Sequence, residues 1–267
     1  MSGTNHRTWQ LYHVGHFLTT VQLDPVADAR NLERHKALAD VTKQLIELMD
    51  THRLPTTWAV SDPAHSAATS HILRSAVPHE FAILGDAIWL GPMAGRTRFA
   101  HELSRRIAQS RSAGLEVQTL VPRAASIERH IDLVVKQEIT AIAGVESPGL
   151  STQPITTPRA LHYGVWEIPV AAKLPMRSGW FSSGGWTTWR RIRSAARDAA
   201  TFHLLIDAPS ICDEGRSPLN TITWLMRRIA NLRDRGLIRV ETLRAASARL
   251  ADVPAVKPQQ SILRRAA

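Results

Sequence analysis

Cysteine is almost missing from this 267-residue chain, in which Cys212 stands alone. A single thiol can neither close an internal disulfide nor supply a zinc cluster, and it fits a reducing compartment. Long apolar runs are missing as well. No stretch approaches the roughly 18 apolar residues of a membrane span, and the first ten residues hold no apolar core of signal-peptide length. A cytoplasmic protein without a membrane partner is therefore expected. Zinc-finger, RRM and recognition-helix signatures are also lacking, so nothing directs the net charge of +10 to one partner. That charge comes from 33 basic against 23 acidic residues, spread over helix faces such as Arg105–Arg106, Arg190–Arg191–Arg193 and Arg227–Arg228. Nucleic acid stays open as a secondary partner.

What is present is an ordinary apolar share of 44%, enough for a large core, arranged in alternating periods. Strand-like runs are Phe17–Leu23, Thr56–Val60, Glu80–Leu84, Val117–Val121, Ile139–Ala143, Leu161–Ile168, Phe202–Asp207 and Leu237–Val240. Helical spacing fills the intervals, over 27–52, from Pro63 to about Ala76, 95–114, 127–138, 186–200, 217–236 and 243–250. Gly114 and Gly236 stand where helix-ending glycines belong. Short links between strand and helix argue for parallel strands joined by helical crossovers. The expectation is one α/β domain over 1–252, a (β/α) barrel rather than a doubly wound sheet. The Ser/Thr/Pro/Gly-rich stretch Gly144–Pro158 reads as a lid or a linker, and 253–267 as a flexible basic tail.

In either architecture ligands bind where strands end and helices begin. The residues there are Asp24, Asp62, Asp86, Arg123, Trp166–Glu167, and His203 with Asp207. Period two places His203, Leu205 and Asp207 on one strand face, and a histidine near a carboxylate suits acid–base work. Asp24, His203 and Asp207 are the catalytic candidates. Asp86, Arg123, Trp166 and Trp186 are the substrate-binding candidates, the last from a tryptophan cluster (Trp180, Trp186, Trp189) around Ser182–Gly185. Each has a plainer reading: Asp after a strand caps a helix or makes a turn, His203 packs a core, and loop tryptophans pack a lid.

The order of elements and four passages resemble the polysaccharide deacetylases, the NodB-homology domains, over about residues 17–250. VQLDP stands where that family has its first-strand aspartates, and PHEFAILGD where it has GHEIGNH. GRTRFAHELSRRIAQSRSAGLEVQTLVPR is similar to its arginine–helix–strand segment. FHLLIDAP with RGLIRVETLRAASARL is similar to its closing histidine strand and last helix–strand–helix. The resemblance implies a distorted (β/α)7 barrel of the glycoside hydrolase/deacetylase type that removes acetyl groups from sugar polymers. It also implies a zinc-type divalent metal held by one Asp and two His, which polarises the carbonyl and activates water. The residues depart from that pattern. Asp24 is followed by Pro25 rather than a second Asp, and His79 and Glu80 match non-ligand residues. The liganding histidines fall on Leu84 and Ile88, and the closing histidine matches Asp207 about as well as His203. No metal ligand and no cofactor is expected from the residues themselves; a divalent metal enters by resemblance only. The expected function is deacetylase-like hydrolysis of an acetamido C–N bond in a small carbohydrate or amide, active or diverged. The alternative is a non-catalytic barrel that binds carbohydrate or protein.

Overall fold

The computed structural model describes residues 14–24, 32–64, 66, 68–91, 93–123, 127–144, 157–175, 184–214 and 216–252. The tail 253–267, most of Gly144–Pro158, the loop with Trp180 and Ser182, and Pro25 lie outside the described residues. The elements in chain order are β1 Gly15–Gln22, α1 Leu32–Thr51, β2 Thr57–Val60, α2 Thr69–Leu73, β3 Glu80–Gly85, α3 Ala87–Leu90 and α4 Arg96–Ser112. Next come β4 Thr119–Pro122, α5 Ile131–Lys136, β5 Ala141–Ala143, β6 Arg159–Ala160, β7 Trp166–Ile168 and β8 Ala172–Leu174. The chain continues through α6 Gly184–Arg197, β9 Thr201–Asp207, α7 Ala208–Glu214, α8 Arg216–Asp234, β10 Ile238–Glu241 and α9 Leu243–Asp252. None of these helices is long and apolar enough to cross a membrane.

The ten strands among the described residues belong to one sheet, ordered β6-β7-β5-β4-β3-β2-β1-β9-β8 with β10 beside β1, and every pair is parallel except β6 with β7. One edge of β1 is shared, β10 taking Gly15–Leu18 and β2 taking Thr20–Gln22. The two end strands of the parallel part of the ladder, β7 and β8, are consecutive in the chain, with only three residues between them. Residues 166–174 thus run from the ladder of β5 to that of β9, and the sheet curls into a barrel. The fold is the expected α/β barrel, with strands that trail into a common mouth.

The closure is held at one carbonyl. Ile168 O accepts the Gly144 N–H from the end of β5 (2.8 Å) and lies 3.3 Å from His203 Nδ1 on β9. His203 O in turn accepts the Ala171 N–H (2.8 Å). Gly144 is required here, since a Cβ on it would lie 2.9 Å from Pro169 Cα, closer than real Cβ atoms come. His203 is fully buried, and burial pushes its pKa down to about 4, so its ring is neutral. A carbonyl can only accept, so Nδ1 carries the proton and Nε2 accepts from the Thr20 hydroxyl, 2.9 Å away on β1. One imidazole thereby ties β9 to β1 and to the bend between β7 and β8.

Period-two alternation divides the strand residues between two cores. Phe17, Trp58, Ile83, Leu120, Phe202 and Ile206 face outward into the layer under α1, α4, α6 and α8. Leu18, Ala59, Ala82, Leu84, Val121, Ala141, Ala143 and Ile168 face inward, and the alanines keep the bore narrow. Leu243 and Ala246 of α9 join that inner cluster, so α9 plugs the floor. The plug is anchored by Glu80, buried at the start of β3. Its carboxylate accepts from Thr57 Oγ1 and the Arg244 N–H (both 3.0 Å) and from Thr119 Oγ1. Thr57 Oγ1 also takes the Leu243 N–H at 3.0 Å. The first turn of α9, whose N–H groups have no partner within the helix, is satisfied by these strand side chains. Burial pushes the Glu80 carboxyl upward, while the donors from Arg244, Thr119, Thr57 and Thr242 pull it back.

Several expected elements differ. The helix from Pro63 to Ala76 is only Thr69–Leu73, because Asp62 Oδ1 takes the Ala64 N–H (3.2 Å) and Thr69 Oγ1 donates to Pro63 O (2.6 Å), winding the segment into turns. The strand Leu161–Ile168 shortens to Trp166–Ile168, because 162–164 form a 3₁₀ turn with Tyr163 at φ 62°. The short strands β6 and β8 and the helix α7 are additional. Pro209 is tolerated in α7 because it falls in the first turn, where N–H groups have no intrahelical acceptor. Gly114 (φ 74°) and Gly236 (φ 68°) do end their helices in the left-handed region.

Two stability predictions follow from the barrel interior. His203 titrates near 4 when folded and near 6.5 when unfolded, so the unfolded chain takes up the proton first. Its contribution is intact above pH 6.5 and is lost as pH falls to 4, by roughly 3 kcal/mol at 1.36 kcal/mol per unit. Urea unfolding at pH 7 and pH 4.5 should show that loss in the natural protein and a much smaller one in His203→Gln; equal losses would refute the assignment. Glu80→Ala, which strands two hydroxyls and a helix N–H, should cost roughly 3–5 kcal/mol, and Glu80→Gln, which keeps an acceptor, distinctly less. Matching unfolding midpoints for the two variants would show that Glu80 does not anchor α9.

Candidate functional site

The trailing ends of the strands define the mouth. Around the ladder stand Asp207 (β9), Lys173 (β8), Asp24 (after β1), Ser61 and Asp62 (after β2), Asp86 (after β3) and Arg123 (after β4). Parallel register puts Gln22 beside Asp207 and Lys173 beside Leu205, so Lys173 shares the inward face with His203 and Asp207. Lys173 Nζ lies 3.1 Å from Asp207 Oδ2, with side-chain exposures of 34% and 14%. This pair, half-shielded at the top of the bore, is the mouth's one carboxylate–ammonium contact among the described residues. It survives best where water is scarce, because screening of an ion pair falls with burial.

The other mouth carboxylates bind to main chain. Asp24 Oδ2 accepts the Ser61 N–H, which joins the ends of β1 and β2. Arg123 reaches from β4 across two strands to donate to the Asp24 carbonyl, and Arg106 of α4 donates to the Ser61 carbonyl. The Arg106 guanidinium lies 5.3 Å from the Trp89 ring centre, which holds it in place from outside the barrel. Asp86 Oδ1 accepts the Ile88 N–H (2.8 Å), and Asp62 the Ala64 N–H. Asp62 and Asp86 are thus in turn and cap roles as well as on the rim.

The sequence candidates separate into three groups. Asp24, Asp86, Arg123 and Asp207 come together at the mouth. His203 faces the same bore from below, where both ring nitrogens are engaged. Trp166 and Trp186 are elsewhere, which corrects their expected placement at a strand end and on a mouth loop. Trp166 opens β7 opposite Ala141, at the floor end of the strand, because the true strand starts five residues later than the apolar run. Trp186 lies in the first turn of α6, outside the barrel, against Trp224 (centres 6.3 Å apart). His79, from the GHE-like passage, is at the floor as well. It lies 2.9 Å from Asp50 and accepts the Thr56 N–H at Nδ1 (3.2 Å).

Lys173 went unseen in the sequence. The only signal for Lys173 is a charged residue four positions after Pro169, inside the apolar run 170–174, which is too short for a strand reading. A cavity of about 380 Å³ lined by Glu128, Ile131, Arg159, Ala160, Leu161 and His162 lies beside β6 and shares no residue with the mouth. Arg159 there is already paired with Glu128 (2.7 Å) and with Glu167.

A divalent metal of the deacetylase kind does not fit this donor set. The two positions that match liganding histidines carry Leu84, sealed in the inner core, and Ile88, 62% exposed on α3. No histidine among the described residues stands beside Asp24, Asp86 or Asp207 to complete a ligand set, and His203 has both ring nitrogens engaged. Among the described residues no three His, Cys, Asp or Glu side chains are grouped to hold a metal ion.

No family model and no curated protein sequence matches this chain. Solved structures do match in shape. A protein assigned as a polysaccharide deacetylase from Mycobacterium smegmatis superposes with a TM-score of 0.64 at 15% identity, over 89% of this chain and 90% of its own. One assigned likewise from Pseudomonas aeruginosa gives 0.60 at 10%, over 88% and 89%. The PuuE allantoinase gives 0.59 at 12%, over 93% of both. At such identities the likeness speaks for the backbone alone. With parallel strands closing on one mouth and these neighbours in shape, the chain has the polysaccharide-deacetylase-like (β/α) barrel fold.

Proposed function

We propose that the protein is a deacetylase-like hydrolase that cleaves the acetamido C–N bond of a small carbohydrate derivative without the metal that such barrels use. The single observation that carries this reading is the Lys173–Asp207 contact of 3.1 Å at the mouth. Two solved neighbours in shape are assigned as polysaccharide deacetylases and a third is an allantoinase, which supports C–N chemistry on this fold. In the proposed reaction Asp207 takes a proton from water, and the resulting hydroxide adds to the acetyl carbonyl carbon. The oxyanion that forms lies against the Lys173 ammonium, a fixed positive charge in a half-shielded site. Collapse of the tetrahedral intermediate breaks the C–N bond, and the leaving nitrogen takes the proton from Asp207, giving acetate and a free amine. Asp24, Asp86 and Arg123 are assigned to hold the substrate's hydroxyls, and His203 to position β9 beneath Asp207. A reducing, cytoplasmic setting, read from the single cysteine, suits a soluble substrate better than a wall polymer.

A second reading is favoured by the main-chain bonds that occupy Asp24, Asp62 and Asp86. It makes the mouth a non-catalytic carbohydrate-binding site.

The test is release of acetate and amine from a panel of N-acetylated sugars by protein stripped of metal with a chelator. Turnover should persist after stripping. It should fall at least about 100-fold in Asp207→Asn and Lys173→Met, as for loss of a base or an oxyanion partner. Turnover that disappears on stripping and returns with zinc would overturn the metal-free scheme. Calorimetric binding of the same sugars with no turnover would establish the second reading instead.

A further inference from the structure

The outer face of α6 and α8 holds a feature that the mouth does not use. α6 carries four arginines and no carboxylate, and α8 four arginines and one carboxylate, Asp234. Two of these arginines are committed elsewhere: Arg233 pairs with Asp234 (2.7 Å), and Arg191 turns in over the Phe202 ring. Arg190, Arg193, Arg197, Arg227 and Arg228 are exposed and have no carboxylate partner among the described residues. Trp186, Arg190, Arg193 and Arg197 follow one another at spacings of four, three and four, so they form a single stripe down α6.

The head of that stripe is aromatic. Trp186 is 53% exposed and leans on Trp224 of α8. Trp224 meets Trp189 edge-on, with ring centres 6.2 Å apart. The Arg228 guanidinium sits 4.5 Å from the Trp224 ring centre and 5.3 Å from that of Trp189, which fixes it beside the exposed indole. An unpaired row of guanidiniums presents forks matched to phosphate, and the chain favours arginine over lysine throughout, 28 to 5. An indole with a free face at the head of the row offers a platform for a flat base. Duplex bases are already stacked and could not use it.

We infer that the α6–α8 face binds single-stranded nucleic acid, with phosphates along Arg190, Arg193, Arg197 and Arg228 and a base stacked on Trp186. The stripe spans eleven residue steps, about 17 Å at 1.5 Å per residue. This surface lies outside the barrel and does not depend on the chemistry proposed for the mouth.

The experiment is fluorescence anisotropy of the full chain with a labelled 20-mer oligothymidylate, and with a 20-bp duplex, between 50 and 300 mM salt. Single-strand binding should weaken with salt at a log–log slope near −3, about 0.7 per neutralised phosphate. Trp186→Ala should weaken it between about 5- and 100-fold with little change of slope, as for loss of one stacked base. The triple variant Arg190→Ala/Arg193→Ala/Arg228→Ala should lower both affinity and slope, the latter by about 2. All four residues are exposed, and unchanged melting temperatures would confirm that the variants fold. No binding at 50 mM salt would overturn the inference. So would binding that survives in the triple variant, duplex binding as tight as single-strand binding, or a sulfated glycan binding where the oligothymidylate does not.

Discussion

The barrel depends on how its sheet is closed, and the closure depends on a buried, neutral histidine. A parallel sheet of this order has two free edges unless something joins β7 to β8, and unpaired edges are costly and sticky. The chain solves this with a single segment bent at Pro169, which leaves the ladder of β5 and enters that of β9. A bend interrupts the ladder, so some backbone groups must find partners outside it. Ile168 O is shared between Gly144 and His203, and Ala171 N–H finds the His203 carbonyl. The side chain and main chain of one residue therefore replace the missing rungs. Ile168 O fixes the tautomer, since only the form protonated on Nδ1 can serve it, and Thr20 completes the arrangement by donating to Nε2.

That use of His203 bears on chemistry. A ring whose pKa is held near 4 and whose two nitrogens are both bonded cannot exchange protons with a substrate at neutral pH without breaking the closure. What the mouth holds without imidazole is a carboxylate at the last residue of β9 and an ammonium on the adjoining strand. The same closure brings them together, because β8 pairs with β9 only after the bend has carried it there. Structural and proposed functional roles thus meet in one ten-residue stretch, 166–175, which has no helix of its own.

Much of the fold was legible because it rests on periodicity. β1, β3 and β9 read correctly to within two residues, being long, apolar and flanked by turn residues. The helix-ending glycines were legible because only glycine accepts a positive φ cheaply. β8 was not, since a three-residue strand next to a proline has no period to detect. Its existence is set by tertiary pairing with β9. Lys173 was lost along with it. Trp166 was misplaced for a related reason: the run Leu161–Ile168 is apolar enough for one strand, but local turn geometry at 162–164 wins over pattern. The rim carboxylates were legible from the rule that parallel strands deliver their ends to one side. Their bonding was not, because the donors to Asp24 and to its carbonyl come from residues 37 and 99 positions away.

The resemblance to deacetylases and the donor set at the mouth pull in different directions, and the barrel's construction explains how both can hold. The outer face of the sheet, its helices and the α9 plug fix the backbone without reference to what stands at the strand ends. The inner core needs only small apolar residues at the middle level, and Leu84 satisfies that need where a ligand would not. The rim residues in turn bond among themselves and to the loops they stand on. Asp24 holds Ser61, Asp86 caps α3, and Asp207 meets Lys173. Likeness in backbone then constrains where a substrate must enter, while the identity of the rim decides what happens to it. Among the described residues that rim offers the carboxylates of Asp24, Asp62, Asp86 and Asp207, the Lys173 ammonium, and the guanidiniums of Arg123 and Arg106.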